Sequence, residues 1–434
     1  TILQIKQYRS INFMLKKKIF FIPLLIIVLI IITTILLYNN KNFVKKHFWG
    51  YLPDRAQIII KLLFNENLVN NFKNDYNIKF LPETQFQKIS VKKINLNFLK
   101  SKNSTSNNYF ETSGLSSFYI ESLGNQKTWI INNNAEIFEI NNKEIKSKKN
   151  LNYIKKIESN LKAKRVLDTL LIKNEIFISI RENNSNCKKF KIMSANINDK
   201  ILNFKNFFVT DECGKNIQGG RMQTYLHNGI EGILFTTGDN DVDYPNTKPQ
   251  NEDSIYGKII FKDFMSKNYE IFSIGHRNGQ GLLVKDNLIL MTEHGPRGGD
   301  EINRIIYKKN YGWPIASYGE KYSKDNLITY YKKSHENNGF EEPIYAFIPS
   351  IGISEIISLP NSFSKKWIDN FLVTSLYGRS IFRIKLNKNF NKVIFIEKIF
   401  IGERIRDIKY SNSHNMILLA FEEKGQLGIL TIPD

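Results

Sequence analysis

At 434 residues, 42% hydrophobic and 24% charged, the chain can bury a sizeable core and does not have the composition of a disordered protein. Its formal charge of +21 invites a nucleic-acid reading, but the lysines are spread along the whole chain among Asn and Ile. That argues against a nucleic-acid partner and leaves only weak attraction to anionic lipid. Two cysteines, Cys187 and Cys213, neither in a CxxC pair, are too few for a zinc site. A disulfide between them and two buried thiols both fit their spacing.

The first element in chain order is "LKKKIFFIPLLIIVLIIITTILLY". From Ile19 to Tyr38 it runs twenty residues without a charge, enough to cross a bilayer as a helix. Pro23 sits near the first turn, where a missing N–H costs least. The run ends in "LLYNNKNF" with no small-residue cleavage site, so an uncleaved single-pass anchor is expected over residues 19–38. Lys6, Arg9, Lys16, Lys17 and Lys18 precede it, and Lys41, Lys45, Lys46 and Arg55 follow. The slight excess places residues 1–18 in the cytoplasm and the body outside. The chain opens on Thr1, and Met14, directly before "LKKK", is a candidate start. Residues 39–87 read as a stalk, with Ile59, Leu62 and Leu63 at helical spacing.

From residue 88 to 434 one pattern recurs: a short apolar run, a polar turn, then a second strand of alternating apolar residues. The copies are "TWIINNNAEIFEI", "GILFTTGD" leading to "IYGKIIF", "LILMTEHGPRGGDEINRI", "NFLVTSLYGRSIFRIKL" and "NMILLAFEEKGQLGILTI". Period-two alternation bounded by Gly, Asn and Asp is the strand-hairpin signal. Recurrence at roughly 40–60 residues predicts the blades of a β-propeller, none able to bury both faces alone.

Ligand groups in such a fold collect on loops at one end of the central channel. The hairpin from Leu288 to Ile305 carries "EHGPRGGDE", far richer than a turn needs. Its glycines allow backbone carbonyls to approach a ligand, and Asp300 and Glu301 supply hard oxygen donors of the kind calcium prefers. By itself such a loop is more often a solvated turn than a metal site.

Four stretches in order, "GHRNGQGL", "TEHGPRGGDEIN", "NYGWPIASYG" and "GERIRD", resemble the soluble aldose (glucose/sorbosone) dehydrogenases that use pyrroloquinoline quinone. The likeness runs over roughly residues 165–434. It implies an all-β, six-bladed β-propeller, here preceded by the N-terminal transmembrane helix, with quinone and calcium at the channel mouth. It also implies a periplasmic body on a single-pass inner-membrane protein. Matched residue by residue, Arg277 and Asn278, with Gln280 beside them, correspond to quinone contacts. Arg404 and Arg406 correspond to the arginines that hold the cofactor's carboxylates. The carbonyls of Gly295 and Pro296 match calcium ligands, and Asp300, Glu301 and Tyr311 resemble a second calcium site. Independently, positions i and i+2 of a strand share a face, so "RIR" aims two forked donors together. A pair of exposed strand arginines answered by Glu403 and Asp407 is the competing explanation.

Two departures bear on chemistry. The family's general-base histidine lies four residues before the arginine of a "GGR" motif, and here "NIQGGRM" puts Ile217 there. Tyr377, in "SLYGRSIF", stands where the family commonly has a quinone-holding lysine. His276 and His294 read as hydrogen-bonding loop residues, and His227 as the histidine nearest the motif. Asn216 is a poor substitute base. Two functions follow: a membrane-anchored, quinone-dependent oxidoreductase of an aldose, or a calcium-containing propeller without catalysis that binds a carbohydrate or protein. A structural envelope role ranks below both. The expected partners are a small sugar, the membrane through one helix, and a second copy in a dimer.

Overall fold

The structure is a computed structural model that describes residues 87–99, 117–124, 126–147, 150–151, 155–163, 165–183, 187–240, 246–320 and 331–433. Among the described residues six sheets follow one another along the chain, as the recurring hairpins predict, antiparallel but for one short parallel pairing of Asn95 and Leu96 with Asn150 and Leu151. We number them blades I to VI. Their inner strands are Phe118–Leu123, Arg165–Ile172, Gly219–His227, Gly279–Lys285, Ile353–Ser358 and Ile405–Ser411. Each inner strand packs beside the next and the sixth beside the first, which makes a closed ring.

The apolar runs of the sequence become the second strands. Leu288–Glu293, Asn370–Ser375 and Met416–Phe421 are buried at every position, because a middle strand has a neighbouring blade on each of its faces. The hydrophobic core is accordingly divided into six clusters, each shared by two adjacent blades. In one of them, Leu290 and Ile302 of blade IV meet Ile356 and Phe382 of blade V.

Closure uses both ends of the described chain. Ser90–Leu96 adds to blade VI as its fourth strand, antiparallel to Gln426–Thr431 from Ser90 opposite Thr431 to Asn95 opposite Gln426. The ring is thus completed within one chain, and its closure gives no support to the expected dimer. The anchor expected over residues 19–38 lies outside the described residues, as do the stalk helix and the Met14 start. Among the described residues no helix is long and apolar enough to cross a membrane. The transmembrane helix, the membrane partner and the inner-membrane, periplasmic placement thus find no support among the described residues, which are those of the propeller.

Five of the six inner strands share an irregularity that no pattern in the sequence announces. Blades II to VI each carry a β-bulge near the start of the inner strand, between Val166 and Asp168, Gly219 and Met222, Gly279 and Gly281, Ile353 and Ile356, and Ile405 and Asp407. A bulge re-aims the side chains it contains. The residues within these five are Leu167, Gly220 with Arg221, Gln280, Ser354 with Glu355, and Arg406. Arg221, Gln280, Glu355 and Arg406, four of the channel's polar residues, come from this short segment.

The two cysteines are bonded to each other. Their bond ties the start of blade II's third strand, Lys188–Asn196, to the loop that leads into blade III.

Candidate functional site

The channel has a charged plug. Arg221, fully buried, lies 3.1 Å from Asp168, 2.7 Å from Glu355 and 3.9 Å from Asp407. Its guanidinium stands over the Tyr119 ring, and Lys409 lies 3.5 Å from Glu121. The acids also stitch blades together: Asp168 accepts the Met222 N–H of the next blade at 2.8 Å, and Asp407 accepts that of Ile120 at 2.8 Å. Burial pushes the Glu121 and Glu355 carboxyls up to about 7, against the pull of Lys409 and Arg221 respectively. Sequence patterns do not announce this cluster: Arg221 serves there only as a register mark, and Asp407 only as a possible partner for the strand arginines.

Above the plug, at the end where the inner strands begin, several of the expected residues meet. The two nitrogens Nε and Nη2 of Arg404 reach one oxygen of Glu422 at 2.9 and 2.8 Å, and those of Arg406 reach the other at 2.8 and 2.7 Å. Arg406 Nη1 then donates to Gln280 Oε1 at 2.9 Å, and Gln280 Nε2 to Asn278 Oδ1 at 2.8 Å. Asn278 Oδ1 also accepts the Gly219 N–H at 3.1 Å. One chain of hydrogen bonds thus runs from blade VI through blade IV to blade III. It touches the plug where Arg221 donates to the Arg406 carbonyl at 3.1 Å.

Glu422 was not foreseen; it lies in the hairpin turn of "AFEEKGQ", and nothing there distinguishes it from a solvated acid. Burial alone would raise its carboxyl, but Arg406 and Arg404 outweigh that and hold it at about 2. The competing explanation for the arginines fails on partners: Glu403 pairs with Lys93 and Lys424, and Asp407 serves the plug.

Arg277 is next to this chain and faces another way. Its guanidinium donates to the carbonyls of His294 and Gly295 at 2.8 and 2.9 Å and stacks 5.3 Å from the Trp313 ring. Trp313, in turn, donates its indole N–H to Asp239 Oδ2 at 2.9 Å. Tyr377 lies at the same end, in the turn after blade V's second strand, where its neighbours Leu376 and Gly378 bond to Gly352 and Ile351. Ile217 is 1% exposed and packs in the core between blades II and III.

The calcium expectation is corrected. Asp300 and Glu301 are successive residues of the strand Asp300–Arg304 and so face opposite sides of the sheet. Asp300 accepts the backbone N–H groups of Gly295, Ile351 and Ile353 at 3.1, 3.0 and 2.9 Å, with His294 3.7 Å away. Glu301 shares the Asn303 amide with Glu293 and lies 3.8 Å from His335; burial and then Glu293 raise its carboxyl. The Tyr311 hydroxyl donates to the Arg304 carbonyl and accepts the Ile306 N–H, and its ring stacks on His276. The Gly295 carbonyl, beside Pro296, already serves Arg277. Among the described residues no three His, Cys, Asp or Glu side chains are placed to hold a metal ion.

A groove of about 930 Å³ lies elsewhere, beside the hairpin turns at Lys173 and Asp286, at the opposite end of blades II to IV. The polar network is not there, and we place the site at the mouth.

The family model for glucose / sorbosone dehydrogenases matches residues 168–429. An uncharacterized protein of Synechocystis sp. is 30% identical over 219 residues, 45% of this chain and 52% of that protein. The aldose sugar dehydrogenase YliI of Escherichia coli is 28% identical over 228 residues, 48% of this chain and 58% of that protein. The chain thus spans about half the length of these curated relatives. The PQQ-bound form of aldose sugar dehydrogenase from Streptomyces coelicolor has the same fold, with a TM-score of 0.54 at 16% identity over 80% of this chain and 99% of that one. Blade order, mouth and matched residues lead to one conclusion: this chain belongs to the pyrroloquinoline-quinone-dependent glucose/sorbosone dehydrogenase family, as a divergent member.

Proposed function

We propose that the mouth holds pyrroloquinoline quinone and that the chain oxidises a sugar there. The observation that carries this reading is the hydrogen-bonded chain from Arg404 through Glu422, Arg406 and Gln280 to Asn278. Arg404 and Arg406 join two side-chain amides in this chain, and the Arg277 guanidinium lies at the same end of the ring, on the carbonyls of His294 and Gly295. Glu422 is the carboxylate that pairs with Arg404 and Arg406. The excess of fixed cation and the forked geometry suit a planar polycarboxylate, so the residues present fit the group.

When bound, the quinone supplies a two-electron acceptor. Arg404 and Arg406 hold carboxylates, kept at a fixed spacing by the buried Glu422. Gln280 and Asn278 orient polar atoms at the rim of the ring, and Arg277 supplies a cation braced on Trp313. Tyr377 offers a hydroxyl where the family lysine would offer a charge, so binding relies on the arginines.

The test uses the full chain, pyrroloquinoline quinone and gel filtration, with cofactor absorbance retained on the protein as the readout. The wild type is expected to retain quinone. Replacing both arginines, Arg404→Ala with Arg406→Ala, is expected to weaken uptake by about tenfold or more. Dye reduction with glucose and a panel of other aldoses then reads turnover. Absence of retained quinone in the wild type would end this reading.

A further inference from the structure

We infer that Asp239 is the catalytic base of this mouth: it takes the proton of the substrate hydroxyl in place of the histidine that the family carries at Ile217. The inference rests on the quinone reading above. Ile217 has no acceptor atom and is sealed in an inter-blade core. The backbone, however, pairs an aspartate with that position. The Asn216 N–H donates to the Asn240 carbonyl at 3.3 Å, and the Gly238 N–H to the Gln218 carbonyl at 2.9 Å. Between those two bonds, residue 217 faces residue 239.

Asp239 is 7% exposed and held from several sides. Trp313 donates to its Oδ2 at 2.9 Å, its own N–H donates to the Arg277 carbonyl at 2.6 Å, and the Asn246 amide donates to its carbonyl at 3.2 Å. Two of these partners belong to the mouth: Trp313 lies under the Arg277 guanidinium, and Arg277 adjoins Asn278. A carboxylate whose position is fixed by a neighbouring donor has the build of a general base, in which orientation is set by a second group.

The step balances as follows. The O–H bond of a hemiacetal hydroxyl breaks and its proton passes to an Asp239 oxygen. The electron pair left on oxygen forms the C=O bond. The C–H pair departs as hydride to a two-electron oxidant of the ortho-quinone class. The lactone leaves, and Asp239 returns its proton to water.

His294 is the competing candidate, since an imidazole beside a buried acid also makes a base, and Asp300 lies 3.7 Å from its Nδ1. It is placed differently: its backbone bonds to Asn278, in blade IV's loop, and not opposite Ile217.

The experiment compares the full-length wild type, Asp239→Asn, Asp239→Glu and His294→Asn, each loaded with pyrroloquinoline quinone and assayed with glucose and other aldoses by dye reduction. Asp239→Asn keeps an acceptor for Trp313 and is expected to fold. It should retain quinone within about twofold of wild type by absorbance after gel filtration, and lose about 10²–10⁴-fold in kcat with little change in KM. Asp239→Glu should recover part of that loss, and His294→Asn should stay within about tenfold of wild type. No quinone uptake by the wild type would overturn the cofactor reading, and this inference with it. Uptake with no turnover by the wild type, or turnover that survives Asp239→Asn, or a loss confined to His294→Asn, would overturn the role of Asp239 alone.

Discussion

The plug and the mouth of this propeller touch where Arg221 donates to the Arg406 carbonyl, yet they carry opposite imbalances of charge. In the plug, Glu121, Asp168, Glu355 and Asp407 face two cations, Arg221 and Lys409. At the mouth, the guanidiniums of Arg277, Arg404 and Arg406 outnumber two carboxylates, Glu422, paired with the last two, and Asp239 beside Trp313. Burial eases the first imbalance internally, because Glu121 and Glu355, raised to about 7, hold their protons below that pH and the excess negative charge does not fully form there. The second has no such remedy: a guanidinium does not give up its proton. Excess charge in a dry core is therefore titrated away, and excess cation at an opening remains available to an anionic ligand. That difference is the reason we propose the mouth as the binding region, with the plug as its support.

The strongest way to break the comparison is to remove the cation of the plug. Arg221→Met leaves Asp168, Glu355 and Asp407 buried around an apolar side chain, and breaking such a buried network costs about 3–5 kcal/mol. Urea unfolding is expected to report a loss of that size, or no folded protein at all. A loss under about 1 kcal/mol would mean that the plug does not depend on its pairing.

The same contrast explains what was legible in the sequence. Blades could be read because middle strands have two buried faces and therefore appear as unbroken apolar runs, such as "ILFTT" and "MILLAF". The arginine pair could be read from the resemblance and from strand alternation. The plug could not. Asp168 in "VLDTLL" and Asp407 in "IRDI" look like the solvated face of a strand, and only ring closure turns that face inward. The bulges were equally silent, since they depend on how neighbouring strands pair. Glu422 and Asp239 gained their places from long-range contacts, with Arg406 and Trp313, that no local pattern encodes. The calcium expectation failed for a related reason. A loop with the right oxygens predicts a metal only if those oxygens are unspent, and three backbone N–H groups occupy Asp300.

At the mouth, Glu422→Gln separates the brace from the cations. The amide removes the charge that holds Arg404 and Arg406 side by side, at an expected cost of about 2–3 kcal/mol near pH 7. The Glu422 carboxyl lies below its unfolded value of 4.5, at about 2. It therefore contributes stability above pH 4.5, and that contribution is lost as pH falls towards 2. The difference between wild type and Glu422→Gln in chemical denaturation should shrink over the same window. A difference that stays constant from pH 6 to about pH 3 would show that charge at Glu422 is not what braces the arginines.

Glu121 sharpens the contrast from the other side, because its sign is reversed. Burial raises its carboxyl from 4.5 to about 7, against Lys409 and a hydrogen bond from Thr169. Between those two values the folded chain keeps a proton that the unfolded chain has released. Stability therefore falls as pH rises through the window and levels off above 7. Glu121→Gln keeps the shape and cannot ionise. Relative to wild type it should gain about 1–3 kcal/mol in unfolding free energy between pH 5 and pH 8. The comparison is a difference between two proteins across pH, so contributions from other groups common to both cancel. If Glu121→Gln instead loses ground over that range, the glutamate is ionised and paired with Lys409 in the folded state. The plug would then handle its charge as the mouth does, and proton uptake could not be what distinguishes them.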